Sequence, residues 1–157
     1  MLVSHGLYVL SEDYFAKYGT KYTMDNKHGA RPYYFAIAAQ NGILWLVPLS
    51  SKVEKFRLSI EADEKRHGKG SCIFHYIAKV KGKESAFLIG DVIPATEKYI
   101  DHAFTVGGVP FIIGDKADIK AIQSKLSRFL TLVRRGKLKP FVDILAIERA
   151  LLEEDEP

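Results

Sequence analysis

The chain has 157 residues, of which 47% are hydrophobic and 27% are charged, a composition typical of one globular domain large enough to bury its own core. No apolar run approaches the ~20 residues that span a bilayer, and the N-terminus lacks the basic and apolar regions of a signal peptide, so we expect a cytoplasmic protein. The single cysteine, Cys72, excludes an internal disulfide and a cysteine-based zinc site.

The positive charge of the chain lies outside its C-terminal end. The formal net charge is +4 and the pI is about 9.1, and residues 153–157 form an acidic tail with four consecutive acids, Glu153-Glu154-Asp155-Glu156. Without these four negative charges the rest of the chain carries +8. A body this basic favours an anionic partner, and a nucleic acid fits that description.

The first 30 residues are predicted to form a strand, a short helix and a polar loop. Leu7–Leu10 favour the strand, and Ser11 caps a helix that Gly19 ends. The loop from Thr20 to Ala30 has no hydrophobic period, and it interleaves basic and planar side chains, as proteins that grip single-stranded nucleic acid do. Its RNA-binding candidates are Lys21, Tyr22, Lys27 and His28. The alternative is an ordinary solvated surface loop.

A β-hairpin is predicted next. The apolar runs Tyr33–Ala39 and Ile43–Val47 flank Asn41-Gly42, the dipeptide most typical of a two-residue type I′ turn, in which both central residues have positive φ. Pro48 is expected to end the second strand because proline has no N–H for the sheet ladder. The hairpin would deliver the polar residues that follow it to the start of a helix.

The helix that follows is predicted to begin at Ser51 with an anion-binding pattern. Ser51 and Glu54 have the Ser-x-x-Glu spacing of a capping box, in which the serine oxygen accepts the N–H of the glutamate. A capped N-terminus also directs unpaired N–H groups and the positive end of the helix dipole outward. Ser50, Lys52 and Lys55 add a hydroxyl and two cations there. We therefore predict a phosphate site at this helix start.

The helix is predicted to run to His67, because Gly68 supplies a stop signal, and Val53, Phe56 and Ile60 are spaced to form its apolar face. The basic run at its end contains three further RNA-binding candidates: Lys65, Arg66 and Lys69. A second hairpin is predicted beyond it, over Ser71–Val80 and Ser85–Ile89, and then either two short strands or a kinked edge strand over Phe104–Ile113. Asp115 is predicted to cap a long helix that ends at Arg135, with one apolar stripe formed by Ile119, Ile122, Leu126, Phe129 and Val133. A last helix is predicted from Pro140 to about Glu153, with Ile144, Ile147 and Leu151 facing inward. Residues 1–157 are thus predicted to be one α+β domain, with a small, strongly bent antiparallel sheet or half-barrel and with inserted and C-terminal helices.

Spacing argues against several kinds of catalytic site. Serine–lysine hydrolases place the lysine three residues after the serine, a position that neither Lys52 nor Lys55 has relative to Ser51. The five histidines are scattered, and metal-binding and nucleotide-binding motifs are missing, so we predict neither a metal nor a cofactor. RNA cleavage needs neither, because the 2′-OH beside the scissile phosphate is the nucleophile.

The stretch that carries the hairpin and the predicted phosphate site also resembles a known family. Its residues are 34–37 (Tyr-Phe-Ala-Ile) and 44–55 (Leu-Trp-Leu-Val-Pro-Leu-Ser-Ser-Lys-Val-Glu-Lys), followed later by 87–94 (Phe-Leu-Ile-Gly-Asp-Val-Ile-Pro). They are similar to the toxins of type III toxin–antitoxin systems, the ToxN/AbiQ-like endoribonucleases, and most of all to their CptN branch.

The resemblance implies a compact barrel-like β-fold related to the MazF/Kid toxins. It implies metal-independent cleavage of cellular RNA that leaves a 2′,3′-cyclic phosphate. The inhibitor would be a small pseudoknot-type antitoxin RNA, held with the toxin in an RNA-bridged assembly of several copies. Growth arrest and abortive infection as phage defence are the biological roles implied.

The resemblance also implies site residues. The catalytic tyrosine, basic residue and hydroxyl pair of the family fall on Tyr14, Arg31, Ser50 and Ser51. The lysine position of the ToxN-like members falls on Val53, so Lys52 and Lys55 are alternatives for the catalytic lysine. The alternative function is a non-catalytic RNA-binding barrel module, and a third is a protein–protein adaptor of SH3-like shape.

Overall fold

The structure, a computed structural model, describes residues 2–25 and 27–154. Of the predicted acidic tail, residues 155–157 lie outside the described residues. The described residues form four α-helices: α1 Glu12–Tyr18, α2 Val53–His67, α3 Lys116–Arg134 and α4 Ile144–Glu154. They also form nine strands: β1 Leu7–Leu10, β2 Tyr33–Ala38, β3 Leu44–Ser50, β4 Tyr76–Val80, β5 Lys83–Phe87, β6 Ile93–Ala95, β7 Ile100–Ala103, β8 Thr105–Val106 and β9 Val109–Pro110. Of these described helices, none combines the length and the apolar composition needed to cross a bilayer.

Seven of the strands form one antiparallel sheet. Its order is β4-β5-β3-β2-β1-β7, with β6 paired to β3 beside this path, and β8 and β9 form a separate hairpin. Within the described residues β4 and β7 are edges that do not pair with each other, so the sheet is not closed into a barrel. The predicted α+β class, a bent antiparallel sheet with inserted and C-terminal helices, is confirmed.

The sheet bends at β3. Residues 44–46 of this strand pair with β6, whereas its end pairs with β5, where Ser50 lies opposite Ala86. The β2–β3 register also shifts between Phe35 and Ile37, and such irregularities bend and twist a strand. As a result, the C-terminal end of β3 lies beside the β4–β5 hairpin.

Pro48 does not end β3, so the prediction made from its missing N–H is wrong. The strand continues to Ser50 because Pro48 lies where β3 passes from β6 to β5. Its carbonyl accepts the N–H of Leu88 at 2.9 Å, and the next residue, Leu49, donates to the carbonyl of Pro32 at 3.2 Å. The ladder is therefore interrupted at one N–H and resumes at once.

The β2–β3 turn has three residues instead of the predicted two. The N–H of Ala39 donates to the carbonyl of Ile43 at 2.8 Å, and the N–H of Gly42 donates to the carbonyl of Ala39 at 3.2 Å. Gly42 has a φ of +86°, whereas Asn41 is not among the described residues with positive φ. The type I′ turn predicted here is therefore wrong, and the turn is the three-residue kind that a glycine bulge closes.

The β4–β5 hairpin has the two-residue turn. Val80 pairs with Lys83, and the residues between them, Lys81 and Gly82, have φ of +50° and +77°. Positive φ at both positions is the type I′ pattern, whose twist matches that of the flanking strands. The predicted second hairpin is confirmed, with a shorter first strand, a second strand that begins two residues earlier, and a tighter turn.

Helix α3 covers one face of the sheet. Its N-cap is Asp115 as predicted, since the carboxylate accepts the N–H of Asp118 at 3.0 Å. The predicted apolar stripe faces the core, with buried side chains at Ile122, Leu126, Phe129 and Val133 and a half-buried one at Ile119. The amphipathic period of this segment was therefore a sound guide to its position.

Helix α4 begins at Ile144 and not at Pro140, because Asp143 accepts the N–H of Ala146 at 3.1 Å and so occupies the capping position. Its predicted inward residues are buried: Ile144, Ile147 and Leu151.

Glu154, the last residue of α4, ties this helix to α1 and to the segment before β7. Its carboxylate accepts hydrogen bonds from the hydroxyls of Tyr18 and Tyr99, the latter at 2.6 Å. The ammonium groups of Lys98 and Lys17 lie 2.6 and 3.1 Å from it. Burial alone would raise the pKa of this carboxyl, but hydrogen bonds from Lys98, Tyr18, Tyr99 and Lys17 lower it to about 2.

Helix α2 is the exposed helix of the fold. Its predicted apolar face, Val53, Phe56 and Ile60, is half-buried, and none of its described residues is fully buried. Arg57 fastens it to β5, since its Nη2 donates to both carboxylate oxygens of Glu84 at 2.8 and 2.9 Å. The helix therefore lies beside the β4–β5 hairpin without entering the core.

Candidate active site

A cavity of about 550 Å³ opens where the end of β3 meets the β4–β5 hairpin and the segment before β2. Four residues singled out in the sequence line it: Lys27, Arg31, Ser50 and Ser51. The hairpin contributes three further polar residues: Lys81, Lys83 and Ser85. Among the described residues, no Asp or Glu is part of this lining. The cavity therefore combines cations and hydroxyls without an acid of its own.

Arg31 is the most enclosed of these cations. Its residue surface is only 6% exposed, and its Nη1 donates to the backbone carbonyl of Leu49 at 2.8 Å. Its Nε is buried without a hydrogen-bond partner among the described residues, and Arg31 takes part in none of the ion pairs found there. A buried cation without an anion is costly. An anion in the cavity would therefore stabilise this guanidinium.

The carboxyl of Asp91, which is not among the described residues lining the cavity, interacts electrostatically with the guanidinium of Arg31. Its carboxyl is half-buried, and burial raises its pKa, while the charges of Arg31 and Lys55 oppose that rise. Because Asp91 makes no ion pair with Arg31 within the described residues, it does not neutralise the guanidinium. The cavity keeps a positive character.

The two serines differ in their surroundings. Ser50 is the last residue of β3 and is 8% exposed, and its Oγ accepts the N–H of Lys52 at 3.2 Å. Ser51 follows the strand and is exposed, and its hydroxyl has no hydrogen-bond partner in the described part of the chain. Of the two hydroxyls, that of Ser51 is therefore available to a ligand.

The predicted capping box of Ser51 and Glu54 is wrong. Helix α2 begins at Val53, its N-cap is Lys52, and within the described residues no side chain caps it. The N–H of Val53 bonds to the carbonyl of Ser51 at 2.9 Å. Because β3 stays paired through Ser50, Ser51 lies in the turn before the N-cap and its hydroxyl is not committed to the helix.

Neither alternative for the catalytic lysine lines the cavity. Lys52 and Lys55 are exposed residues at the start of α2, and the Nζ of Lys55 lies 5.4 Å from the ring centroid of Phe56. The pKa of His75 is lowered chiefly by burial, and the charge of Lys55 lowers it further. Neither lysine is among the described residues that line the cavity with Arg31 and the serines.

Tyr14 is a core residue away from the cavity. It is 0% exposed, and its hydroxyl donates to the backbone carbonyl of Pro94 at 2.7 Å. The rings of Phe15, Tyr18 and Tyr99 lie with their centroids 5.3, 5.5 and 5.6 Å from its own. Burial, with the neighbouring tyrosines, raises the pKa of this hydroxyl far above its usual range. This geometry indicates a structural role for Tyr14 in the core.

Replacing Tyr14 with phenylalanine is expected to lower the free energy of unfolding by about 1–3 kcal/mol, because the buried carbonyl of Pro94 then loses its donor. Urea unfolding at neutral pH measures this change. Tyr22→Phe, which removes an exposed hydroxyl, is the matched control and should be neutral. A Tyr14→Phe protein as stable as the control would contradict the structural role.

The predicted RNA-binding loop divides into two parts. Lys27 lines the cavity, whereas Tyr22 stacks on Phe141, with ring centroids 4.9 Å apart and planes at 24°. Both rings are exposed, Tyr22 at 47% and Phe141 at 83%, and the Nζ of Lys21 lies 5.0 Å from the Tyr22 centroid. The side chain of His28 lies outside the described residues. An exposed aromatic pair beside a lysine can stack bases.

The second group of RNA-binding candidates is remote from the cavity. Lys65, Arg66 and Lys69 are exposed at the C-terminal end of α2 and in the loop after it. With 15 residues, this helix separates them from its start by roughly 20 Å. They form a separate basic surface, and Arg66 lines another cavity of about 350 Å³.

No protein-family model and no curated protein sequence matches this chain. Solved structures do match. One of them, described with the words "A processed non-coding RNA regulates a bacterial antiviral system", covers 96% of this chain and 96% of its own, with a TM-score of 0.60 and 16% sequence identity. The two chains share a fold. At this identity the similarity concerns the fold alone.

Sequence reasoning missed the polar residues of the β4–β5 hairpin. Lys81, Lys83 and Ser85 reach the cavity because β5 pairs with the end of β3. The predicted strand begins only at Ser85 and leaves Lys83 in the turn. The one available signal was the two-residue spacing of Lys83 and Ser85, which places both on one face of a strand. It could not tell which face, or which strand would be the neighbour.

The arrangement is suited to a phosphodiester. Arg31 is a planar cation that donates to the carbonyl of Leu49, and Ser51 carries a free hydroxyl that lines the same cavity. Fixed donors of this kind stabilise negative charge as it develops on phosphate oxygens. Among the residues described, no group of three or more His, Cys, Asp or Glu side chains is placed to hold a metal ion.

Proposed function

We propose that this protein is a metal-independent endoribonuclease toxin of a type III toxin–antitoxin system, restrained by a small structured RNA. The observation that carries the proposal is the buried Arg31 guanidinium, which among the described residues lacks a partner for its Nε and shares an acid-free cavity with Ser50 and Ser51. A buried cation and the free hydroxyl of Ser51 are suited to binding the oxygens of a phosphodiester.

Two further observations support it. Of the residues that the ToxN-like resemblance implies, Arg31, Ser50 and Ser51 line this cavity, whereas Tyr14, Lys52 and Lys55 do not. The fold is shared with a solved protein whose description says that a processed non-coding RNA regulates a bacterial antiviral system. The resemblance arises from local sequence and the fold match from the whole chain, so each supports the other.

The proposed reaction uses the residues that line the cavity. The 2′-oxygen of the RNA attacks the adjacent phosphorus in line, the bond to the 5′-oxygen breaks, and a 2′,3′-cyclic phosphate remains. The guanidinium of Arg31 and the hydroxyl of Ser51 bind the non-bridging oxygens, whose negative charge grows in the transition state. Alignment of the 2′-OH with the leaving group supplies a further part of the rate.

The RNA partner would be a pseudoknot-type antitoxin that bridges several copies of the protein. Its phosphates would contact the basic surface formed by Lys65, Arg66 and Lys69, and its bases the exposed Tyr22–Phe141 pair. In the cytoplasm, loss of this RNA would free the toxin to cleave cellular RNA and arrest growth, as in abortive infection.

The purified wild-type protein is expected to cleave single-stranded RNA in the presence of EDTA and to leave 2′,3′-cyclic phosphate ends. Ser51→Ala should cleave about 10²-fold more slowly, because one donor to the oxyanion is lost. Ser124→Ala, an exposed serine of α3, is the matched control. Cleavage rates come from labelled RNA on denaturing gels, and the ends from mass spectrometry. A strict requirement for magnesium would contradict the mechanism.

A non-catalytic RNA-binding module is the second candidate. The observation that favours it is Ser50, whose Oγ already accepts the N–H of Lys52 and so has a structural task. The same assay separates the two functions. RNA that is bound but stays uncut under all conditions would favour the binding module.

A further inference from the structure

Strand β5 turns alternate side chains toward the cavity. Lys83 and Ser85 line it, whereas Glu84 and Ala86 are not among its described lining residues, as expected for a strand whose successive side chains point to opposite faces. Ala86 is paired with Ser50 at the end of β3. The register therefore places an ammonium and a hydroxyl of β5 in the same cavity as the two serines.

Glu84, the acid between Lys83 and Ser85, is held on the other face of β5. Arg57 of α2 donates to both oxygens of its carboxylate at 2.8 and 2.9 Å. This charge-assisted contact keeps the negative charge of the hairpin away from the cavity. Within the described residues, Lys83 has no ion-pair partner of its own.

Lys81 and Lys83 occupy different parts of the cavity. Lys81 lies in the turn, and its Nζ reaches the neighbouring β8–β9 hairpin, 3.9 Å from the position that a Cβ on Gly107 would take. Lys83 is the first residue of β5, on the strand that pairs with the end of β3. Of the two lysines, Lys83 is therefore the one whose backbone belongs to β5, the strand paired with Ser50 at the end of β3.

We propose that Lys83 is the catalytic lysine of this protein and protonates the leaving 5′-oxygen of the RNA, in place of Lys52 or Lys55. The inference deepens the proposed function and rests on it. The observation that carries it is that Lys83 of β5 lines the cavity of Arg31 and Ser51, while both lysines of the α2 start lie outside the described lining.

The proton balance of the step is simple. As the 2′-oxygen forms its bond to phosphorus, its proton passes to solvent water. As the bond between phosphorus and the 5′-oxygen breaks, the Lys83 ammonium gives one proton to that oxygen, which leaves as a hydroxyl. The neutral amine then regains a proton from water. General acid catalysis of this kind contributes ~10²–10⁴ in rate.

Lys83→Ala is therefore expected to cleave a short RNA, chosen from sites mapped with the wild-type protein, about 10²–10³-fold more slowly. Lys79→Ala, an exposed lysine of the same hairpin that is outside the described lining, is the matched control. Lys52→Ala and Lys55→Ala test the two alternatives from the sequence, and a loss at either one larger than that of Lys83→Ala would overturn the assignment. Single-turnover rates with excess protein measure these changes.

A second substrate identifies the proton donor. In an RNA whose leaving 5′-oxygen is replaced by sulfur, the thiolate leaves without being protonated, so Lys83→Ala should cleave it within about tenfold of the wild type. An equal loss on both substrates would overturn the role of Lys83 as an acid. A Lys83→Ala protein as active as Lys79→Ala would overturn the assignment while leaving the endoribonuclease proposal intact. Wild-type protein that cuts no RNA would overturn both.

Discussion

Replacing Arg31 with alanine is expected to slow RNA cleavage by about 10²–10³-fold, since the guanidinium is the enclosed cation of the cavity and would bind the phosphate oxygens of the transition state. Single-turnover rates on labelled RNA measure the loss. Arg149→Ala, which removes an exposed arginine of α4, is the matched control and should leave the rate unchanged. Equal rates for the two variants would contradict the role of Arg31.

Because Arg31 is 6% exposed, the alanine variant is paired with Arg31→Lys. Lysine keeps the positive charge and can still donate to the carbonyl of Leu49, so the fold should be retained, as thermal unfolding would verify. It lacks the planar fork of arginine, so cleavage should remain below the wild-type rate. Full activity with lysine would show that charge alone is required.

Replacing Glu154 with glutamine is expected to reduce the free energy of unfolding at pH 7 by about 1.5–3 kcal/mol, because hydrogen bonds to a charged carboxylate are lost. The carboxyl has a folded pKa of about 2, below its usual 4.5, so its contribution is present above pH 4.5 and disappears as the pH falls toward 2. Urea unfolding of both proteins at pH 7 and pH 3 measures this.

The neighbouring variant Glu153→Gln is the control for Glu154→Gln, since Glu153 is exposed and its loss should be neutral at both pH values. The wild type should lose its advantage over Glu154→Gln as the solution is acidified. A difference in unfolding free energy that stays constant between pH 7 and pH 3 would argue against a carboxylate held by Lys98 and the two tyrosines.

The fold was predictable where local sequence decides the structure. The stripe of α3 and its Asp115 cap follow from helical period and side-chain chemistry within a few residues. Errors arose where a distant strand intervenes. Strand β3 continues past Pro48 because β3 pairs with β6 before this residue and with β5 after it. Ser51 does not cap α2 because pairing with β5 keeps β3 extended through Ser50.

The candidate site was predictable to the same extent. Arg31, Ser50 and Ser51 come from segments adjacent in the β2–β3 hairpin, so sequence reasoning could group them. Tyr14 and Lys83 are the opposite cases. Tyr14 is buried against Tyr99, which is distant in the sequence, and Lys83 lines the cavity because β5 pairs with β3. Neither contact can be recognised from the local sequence.

The two-residue turn of the β4–β5 hairpin restricts which insertions and deletions the hairpin can accept. If one residue were inserted or deleted at Lys81-Gly82, β5 would slip by one position, and its faces would exchange. Glu84 would then enter the cavity while Lys83 and Ser85 turned away from it. Viable insertions at this site should therefore come in pairs of residues, or be accompanied by a bulge that restores the phase of the strand.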